Sequence, residues 1–211
     1  MIVELRQYTL HPGRRDELIE LFDREFIESQ EACGIRILGQ FRDLDNPDRF
    51  VWLRGFDSME SRPKALNDFY TGPVWKANSA KANATMVDVS DVLLLRPSAP
   101  HTGLTAAQDG SPESVFLVTL YLRDQPFDEA FLAGFDRTVR PRLPSEPLAC
   151  LQTEHAENNF PSLPVRSGEN VFVWLARFKN VSQLEDWTRP DAISLSRQEL
   201  RLTPTAGSRL R

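Results

Sequence analysis

The sequence predicts an α+β protein: two tandem ferredoxin-like β-α-β-β-α-β units whose sheets form one intramolecular barrel. Three internal matches point there. Phe50-Val51-Trp52-Leu53-x-x-Phe56 recurs as Phe172-Val173-Trp174-Leu175-x-x-Phe178, an offset of 122. Phe22-Asp23-Arg24 recurs as Phe135-Asp136-Arg137 at 113, the offset that also aligns Tyr8 with Tyr121. Leu93-x-Leu95-x-Pro97 recurs as Leu200-x-Leu202-x-Pro204 at 107. The matches keep their order, so they describe a repeat whose second copy gains nine residues around 156–168 and loses fifteen further on. Residues 98–114 are rich in Pro, Ser, Thr, Ala and Gly and read as a linker between units at 1–97 and 115–211.

Each element follows from local pattern. Residues 2–10 separate two faces by period two and read as a strand. His11-Pro12-Gly13 turns the chain into a helix from about residue 14, with Leu18, Leu21, Phe22 and Phe26 at helical spacing and Gly34 as its stop. Residues 35–44 form a strand, 45–48 a hairpin turn, and 50–56 the strongest strand of the copy. Asp57-x-x-Glu60 resembles a capping box for a second helix. Gly72-Pro73 ends it and opens a short helix carrying Trp75, and residues 87–96 close the unit as a strand. The second copy repeats the order: strand 115–122, helix 127–139, strands 148–153 and 172–178, short helix 182–187, strand 197–203. Asn180-x-x-Gln183 and Ser182-x-x-Glu185 are alternative caps for its short helix. A sheet with helices on one face must bury the other, and two sheets in one chain can cover each other.

Composition narrows the function. The chain has 211 residues, a net charge of −5 and 26% charged side chains, ordinary for a globular fold. No apolar run approaches the roughly 20 residues of a membrane span, so no membrane insertion is expected. The opening Met1-Ile2-Val3-Glu4-Leu5-Arg6 has no leader pattern, and a cytoplasmic location is expected. Acidic charge spread along the chain argues against a nucleic-acid partner. Cys33 and Cys150 read as small buried residues, and the three histidines lack ligand spacing, so no metal is expected. There is no phosphate-cradling glycine loop and no nucleophile elbow, hence no nucleotide or other cofactor is expected.

The polar residues worth weighing lie in the first copy. Glu4, Arg6 and Tyr8 share one strand face and are expected inside the barrel. They read either as a cluster orienting an anionic or carbonyl ligand, or as a Glu–Arg pair with a satisfied tyrosine tying the sheets together. On the second reading Glu4 is the partner of Arg6, and Arg6→Met is expected to cost more than about 2 kcal/mol. Trp52 and Trp174 are equivalent and are expected to pack across the pseudo-twofold, with Arg54 on the face of Trp52. Tyr70 and Trp75 occur in one copy only, as pocket walls or as a helix covering a sheet edge.

Ile2-Val3-Glu4-Leu5-Arg6-x-Tyr8-x-Leu10-x-Pro12-Gly13, the strand ending Phe56-Asp57-Ser58, the Gly72-Pro73-x-Trp75 segment and the closing Leu94-Leu95-Arg96-Pro97 resemble the NIPSNAP family. The resemblance covers residues 1–97 and is weaker over the second copy, which has Leu117 and Thr119 in place of Glu4 and Arg6. It implies a dimeric α+β barrel and no agreed reaction or catalytic motif. Cofactor-free monooxygenases and haem enzymes of the wider superfamily are a fold-level analogy. Two functions follow as expectations. One is a small-molecule binding protein or cofactor-independent enzyme, with a cavity of about 300 Å³ or more near Arg6. The other is a non-catalytic interaction or scaffold protein, with a filled barrel and an exposed apolar patch. The chain is expected as a monomeric pseudo-dimer or a homo-oligomer.

Overall fold

The computed structural model describes residues 1–104, 110–190 and 193–211; residues 105–109 of the expected linker lie outside the described residues. The first half runs β1 (Ile2–Leu10), α1 (Arg15–Leu21), a π-helical turn (Phe22–Phe26), α2 (Ile27–Glu31), β2 (Arg36–Asp43), β3 (Arg49–Phe56), α3 (Arg62–Tyr70), α4 (Pro73–Asn83) and β4 (Met86–Pro97). The second runs β5 (Val115–Arg123), α5 (Glu129–Thr138), a 3-10 turn (Arg140–Arg142), β6 (Ala149–Thr153), β7 (Asn170–Phe178), α6 (Val181–Asp186) and β8 (Ser196–Pro204). This is a mixed α/β fold with antiparallel strands. Among the described residues the strands close a barrel in the order β1-β3-β2-β8-β5-β7-β6-β4. The first half therefore contributes β4-β1-β3-β2 and the second β8-β5-β7-β6.

Two short seams close the ring. Phe41, Arg42 and Asp43 pair with Pro204, Thr203 and Leu202, while Leu95, Arg96 and Pro97 pair with Thr153, Gln152 and Leu151. Closure leaves no free sheet edge. Alternation along each strand then sorts side chains into an inner and an outer set. Val3, Leu5, Val51, Leu53, Leu93 and Leu95 meet Phe116, Val118, Leu120, Val173, Leu200 and Leu202 in one interior cluster. Gln7 and Gln198 exchange amide hydrogen bonds of 3.3 and 2.9 Å between the halves. Leu104, beyond the end of β4, and Leu210, in the C-terminal tail, are buried in the same interior. Thr102 holds the approach to Leu104 by accepting from Cys150 N and donating its hydroxyl to Cys150 O. The expected linker thus has ordered, core-forming flanks.

Two local expectations change. The second helix is not capped by Asp57. Ser58 and Ser61 instead bond reciprocally to each other's backbone N–H at 3.3 and 3.1 Å, and Asp57 pairs with Arg36. That reciprocal pair closes the turn ahead of α3, whose N-cap, Ser61, makes no side-chain cap hydrogen bond. At α6 the structure selects Asn180, whose Oδ1 accepts from Gln183 N at 2.9 Å.

The Phe41 ring, fully buried at the β2–β8 seam, lies 5.1 Å from that of Phe116 and joins the halves. Phe41→Ala should cost about 3–5 kcal/mol in a urea titration and leave a single transition, because the cavity opens where both halves meet. Two separate transitions in the parent protein would contradict a shared core.

Candidate functional site

The helices cover the outer surface of the barrel, and there the polar cluster lies. Glu4, Arg6 and Tyr8 are not in the barrel interior as expected. Val3 and Leu5 hold the interior positions of β1, and the alternating residues point out beneath α1–α4. The period of two fixes which residues share a face; the need for an apolar filling decides which face turns inward.

In the β1–β3 register Glu4 stands opposite Arg54 and Arg6 opposite Trp52. Glu4 Oε2 accepts from Arg6 Nη1 at 2.6 Å and from Arg54 Nε at 2.7 Å, and Oε1 accepts from Arg62 Nε at 2.7 Å. All four side chains are fully buried. Three guanidiniums around one carboxylate leave two positive charges in excess. Further partners are neutral: Arg6 Nε donates to Tyr8 Oη at 3.0 Å, and Arg54 Nη1 to Gln30 Oε1 at 3.1 Å and Tyr70 Oη at 3.5 Å. Arg62 Nη1 donates to Asn158 and Asn159 Oδ1, both at 3.0 Å. Aromatic faces offset part of the desolvation: the Arg6 and Arg54 carbons lie 5.4 and 5.1 Å from the Trp52 ring centre. Among the described residues, Nη2 of Arg6, Arg54 and Arg62 and Nε1 of Trp52 are buried with no hydrogen-bond partner.

The charges set the protonation states. Burial pushes the Glu4 carboxyl up, but Arg54, Arg6 and Arg62 together outweigh it and hold it well below the usual carboxylate range. Burial raises the Tyr8 hydroxyl against the pull of Arg6, so the phenol stays neutral. Its oxygen accepts from Arg6 and its proton remains available to donate.

Beside the cluster is an aromatic recess. Tyr8, Trp52, Tyr70 and Trp75 line it together with Phe22, Phe26 and Phe69, and Gln30 lies at its polar side. Its volume is about 40 Å³. That is room for a few waters, not the cavity of about 300 Å³ expected for a ligand site. The aromatic rings account for the difference: Tyr70 and Trp75 pack edge to face at 4.9 Å, and Trp75 lies 5.5 Å from Phe26. Among the candidate residues, Tyr8, Trp52, Tyr70 and Trp75 line the recess, while Glu4, Arg6 and Arg54 lie behind it. The π-helical turn carries Phe22 and Phe26 to the recess, and such turns are frequent at functional sites. Trp52 does not pack against Trp174 across the pseudo-twofold. Both point outward, each under the helices of its own half.

Arg62, Gln30, Asn158 and Asn159 escaped the sequence reading. Arg62 had a legible signal, standing with Ala65, Leu66 and Phe69 at i, i+3, i+4 and i+7 on the buried face of α3. Asn158 and Asn159 belong to the nine-residue gain of the second half. This segment crosses to the first, where Phe160, Leu163 and Val165 pack on the helix-covered cluster. At the positions of Glu4, Arg6 and Arg54 the second half has Leu117, Thr119 and Ala176, all buried.

The fold and site define a closed, antiparallel α/β barrel with a buried, positively charged cluster under the helices of one half. The NIPSNAP family model matches residues 3–100, which lie in that half. An uncharacterised NIPSNAP-like domain protein from Burkholderia xenovorans shares 27% identity, with 49% of this chain and 90% of that one covered and a TM-score of 0.45. A NIPSNAP family protein of unknown function from Agrobacterium tumefaciens shares 21%, covering 47% and 92%, with a TM-score of 0.43. A candidate monooxygenase from Lactobacillus acidophilus NCFM shares 13% over 98% of this chain and 97% of its own, with a TM-score of 0.55; that likeness is of fold. No curated protein matches the chain. These findings carry no specific activity. Among the described residues no helix is long and apolar enough to cross a membrane.

With Arg54 and Arg62 also on Glu4, Arg6→Met no longer strands the carboxylate. It should change stability by less than about 1 kcal/mol or raise it, whereas Glu4→Gln, which strands three guanidiniums, should cost about 3–5 kcal/mol by denaturant titration. A reversed ranking would show that Glu4 does not organise the cluster. Because the folded carboxyl titrates below its unfolded counterpart, its contribution is full above the ordinary value of 4.5 and is lost as pH falls from there. The stability gap between the parent and Glu4→Gln should be flat near neutrality and shrink below about pH 4.5; a gap constant down to pH 3 would contradict the assignment.

Proposed function

We propose that the first half binds a small organic carboxylate, its acid group on the arginine cluster and its apolar body in the aromatic recess. The observation that carries this reading is the set of buried, unpartnered guanidinium nitrogens around a single carboxylate. Burying uncompensated positive charge is costly, and an arriving anion would relieve that cost and take hydrogen bonds the protein leaves unmade. Arginine suits the task because its planar fork matches a carboxylate. Tyr8 offers a phenolic proton beside it. Binding requires the recess to widen, and α4 is the wall that moves at least cost, since Ala82 is its one fully buried residue.

The rest of the reading is architectural. Residues 1–97 and 115–211 form two tandem ferredoxin-like units joined by 98–114, and one chain makes a complete barrel as a monomer. The shared strand order of the halves supports it, as does their common interior. A scaffold role has less support. The barrel is filled, but the exposed large apolar side chains among the described residues are Leu44 and Val87, too few for a docking patch.

Calorimetric titration with benzoate, and with benzamide as its neutral counterpart, tests the reading. Benzoate should bind at least about tenfold more tightly, because only a charged oxygen pair answers the excess on the arginines. Equal affinities, or no binding of benzoate at millimolar concentration, would remove it.

A further inference from the structure

Resting on that carboxylate reading, we infer that the acid group enters at Arg62 by displacing Asn159, an internal stand-in for the ligand's oxygen supplied by the second half of the chain. The segment from Glu154 to Arg166 is anchored at both ends on β4, where Glu154 N donates to Leu94 O and Arg166 N to Val92 O. Between the anchors it crosses the rim of the first half. Its two asparagines are not equivalent. Asn158 is half-buried and locked: its Oδ1 also accepts from Phe160 N at 3.2 Å, and its Nδ2 donates to Leu163 O at 2.9 Å. Asn159 is exposed, and among the described residues its side chain bonds, beyond Arg62, to Met59 O at 2.5 Å.

Both amide oxygens converge on the same nitrogen of Arg62, which is fully buried while its Nη2 has no partner among the described residues. A neutral amide oxygen is a weaker acceptor for a buried guanidinium than a carboxylate oxygen, which forms a shorter and stronger bond. Asn159 can leave at small cost, because its own side chain is exposed and gives up one further hydrogen bond, to the carbonyl of the half-buried Met59. Asn158 stays, so Arg62 keeps its orientation while the acid group arrives. The same movement bears on the recess. Phe160, next in sequence, is stacked on Tyr70 with ring centres 6.3 Å apart and planes at 27°. Swinging out the Asn159 side chain uncovers the guanidinium while the Phe160 backbone keeps Asn158 in place, and a shift of the Phe160 ring alone frees the back of the tyrosine that walls the recess. Arg62 is bonded through Glu4 to Arg54, which reaches the Tyr70 hydroxyl, so acid subsite and recess belong to one connected network.

Two substitutions in the full chain separate this role from a structural one. Asn159→Asp puts a permanent carboxylate where the ligand's would go. It should raise the thermal midpoint and weaken benzoate binding by about tenfold or more. Asn159→Ala removes the stand-in and should bind benzoate as tightly as the parent or up to about threefold more tightly, since nothing need be displaced. Undiminished binding by Asn159→Asp, or binding lost equally in Asn159→Ala, would overturn the inference and leave the carboxylate reading standing. Should the aspartate variant not fold, the alanine variant decides alone: weaker binding than the parent overturns the inference. Failure of the parent itself to bind benzoate would overturn the carboxylate reading, and this one with it.

Discussion

One carboxylate, Glu4, holds together the outer surface of the first four strands. It is buried on β1 and joined to a cross-strand arginine on β3, an arginine two residues along its own strand, and an arginine on α3. The bonds to Arg54 and Arg62 join β1 to β3 and to α3, while Arg6 and Arg54 lie against the Trp52 ring and Arg54 reaches the Tyr70 hydroxyl. A hydrophobic substitute could fill the volume but would not fix those directions. The second half shows the alternative. Leu117, Thr119 and Ala176 stand in the corresponding places, and that surface packs through Phe135, Phe172 and Trp174 instead. The same backbone plan accepts either solution. The first half is the one that buries charge there, three guanidiniums around one carboxylate, with Nη2 of each arginine lacking a hydrogen-bond partner among the described residues.

The first half also differs in its cover. Over the aromatic recess lies α4, a helix with no counterpart among the described residues of the second half, and against its rim lies a segment that the second half provides. The cluster is therefore framed by both halves although its charged residues come from one. The NIPSNAP match ends at residue 100 and does not extend to Asn158, Asn159 and Phe160.

Most of the fold was legible in the sequence because it depends on local periodicity. Strand positions came from alternation, and the helical stops from Gly34 and Gly72-Pro73. Which strand face turns inward was not legible for β1, since neither Val3-Leu5-Gln7 nor Glu4-Arg6-Tyr8 is uniformly apolar. That choice is made by the other strands, whose interior residues leave no room for charge. The partners of Glu4 were partly legible. Arg6 and Arg54 could be placed on one face by spacing and by strand pairing. Arg62 needed the observation that an arginine occupies the apolar stripe of a helix, and Asn158 and Asn159 lie in a segment without periodicity, whose path is set by contacts 60 to 100 residues away in sequence.

Closure of the barrel within one polypeptide has a consequence for symmetry. In a ring assembled from two identical subunits, every change at one site is copied at the other, and each subunit must serve as both wall and roof. Here the two arcs are encoded separately. The arc with the arginines can evolve for recognition while the other evolves for support. A mutation in the crossing segment is felt once rather than twice, so the buried charge of Glu4, Arg6 and Arg54 and the uncharged Leu117, Thr119 and Ala176 can stand in one ring.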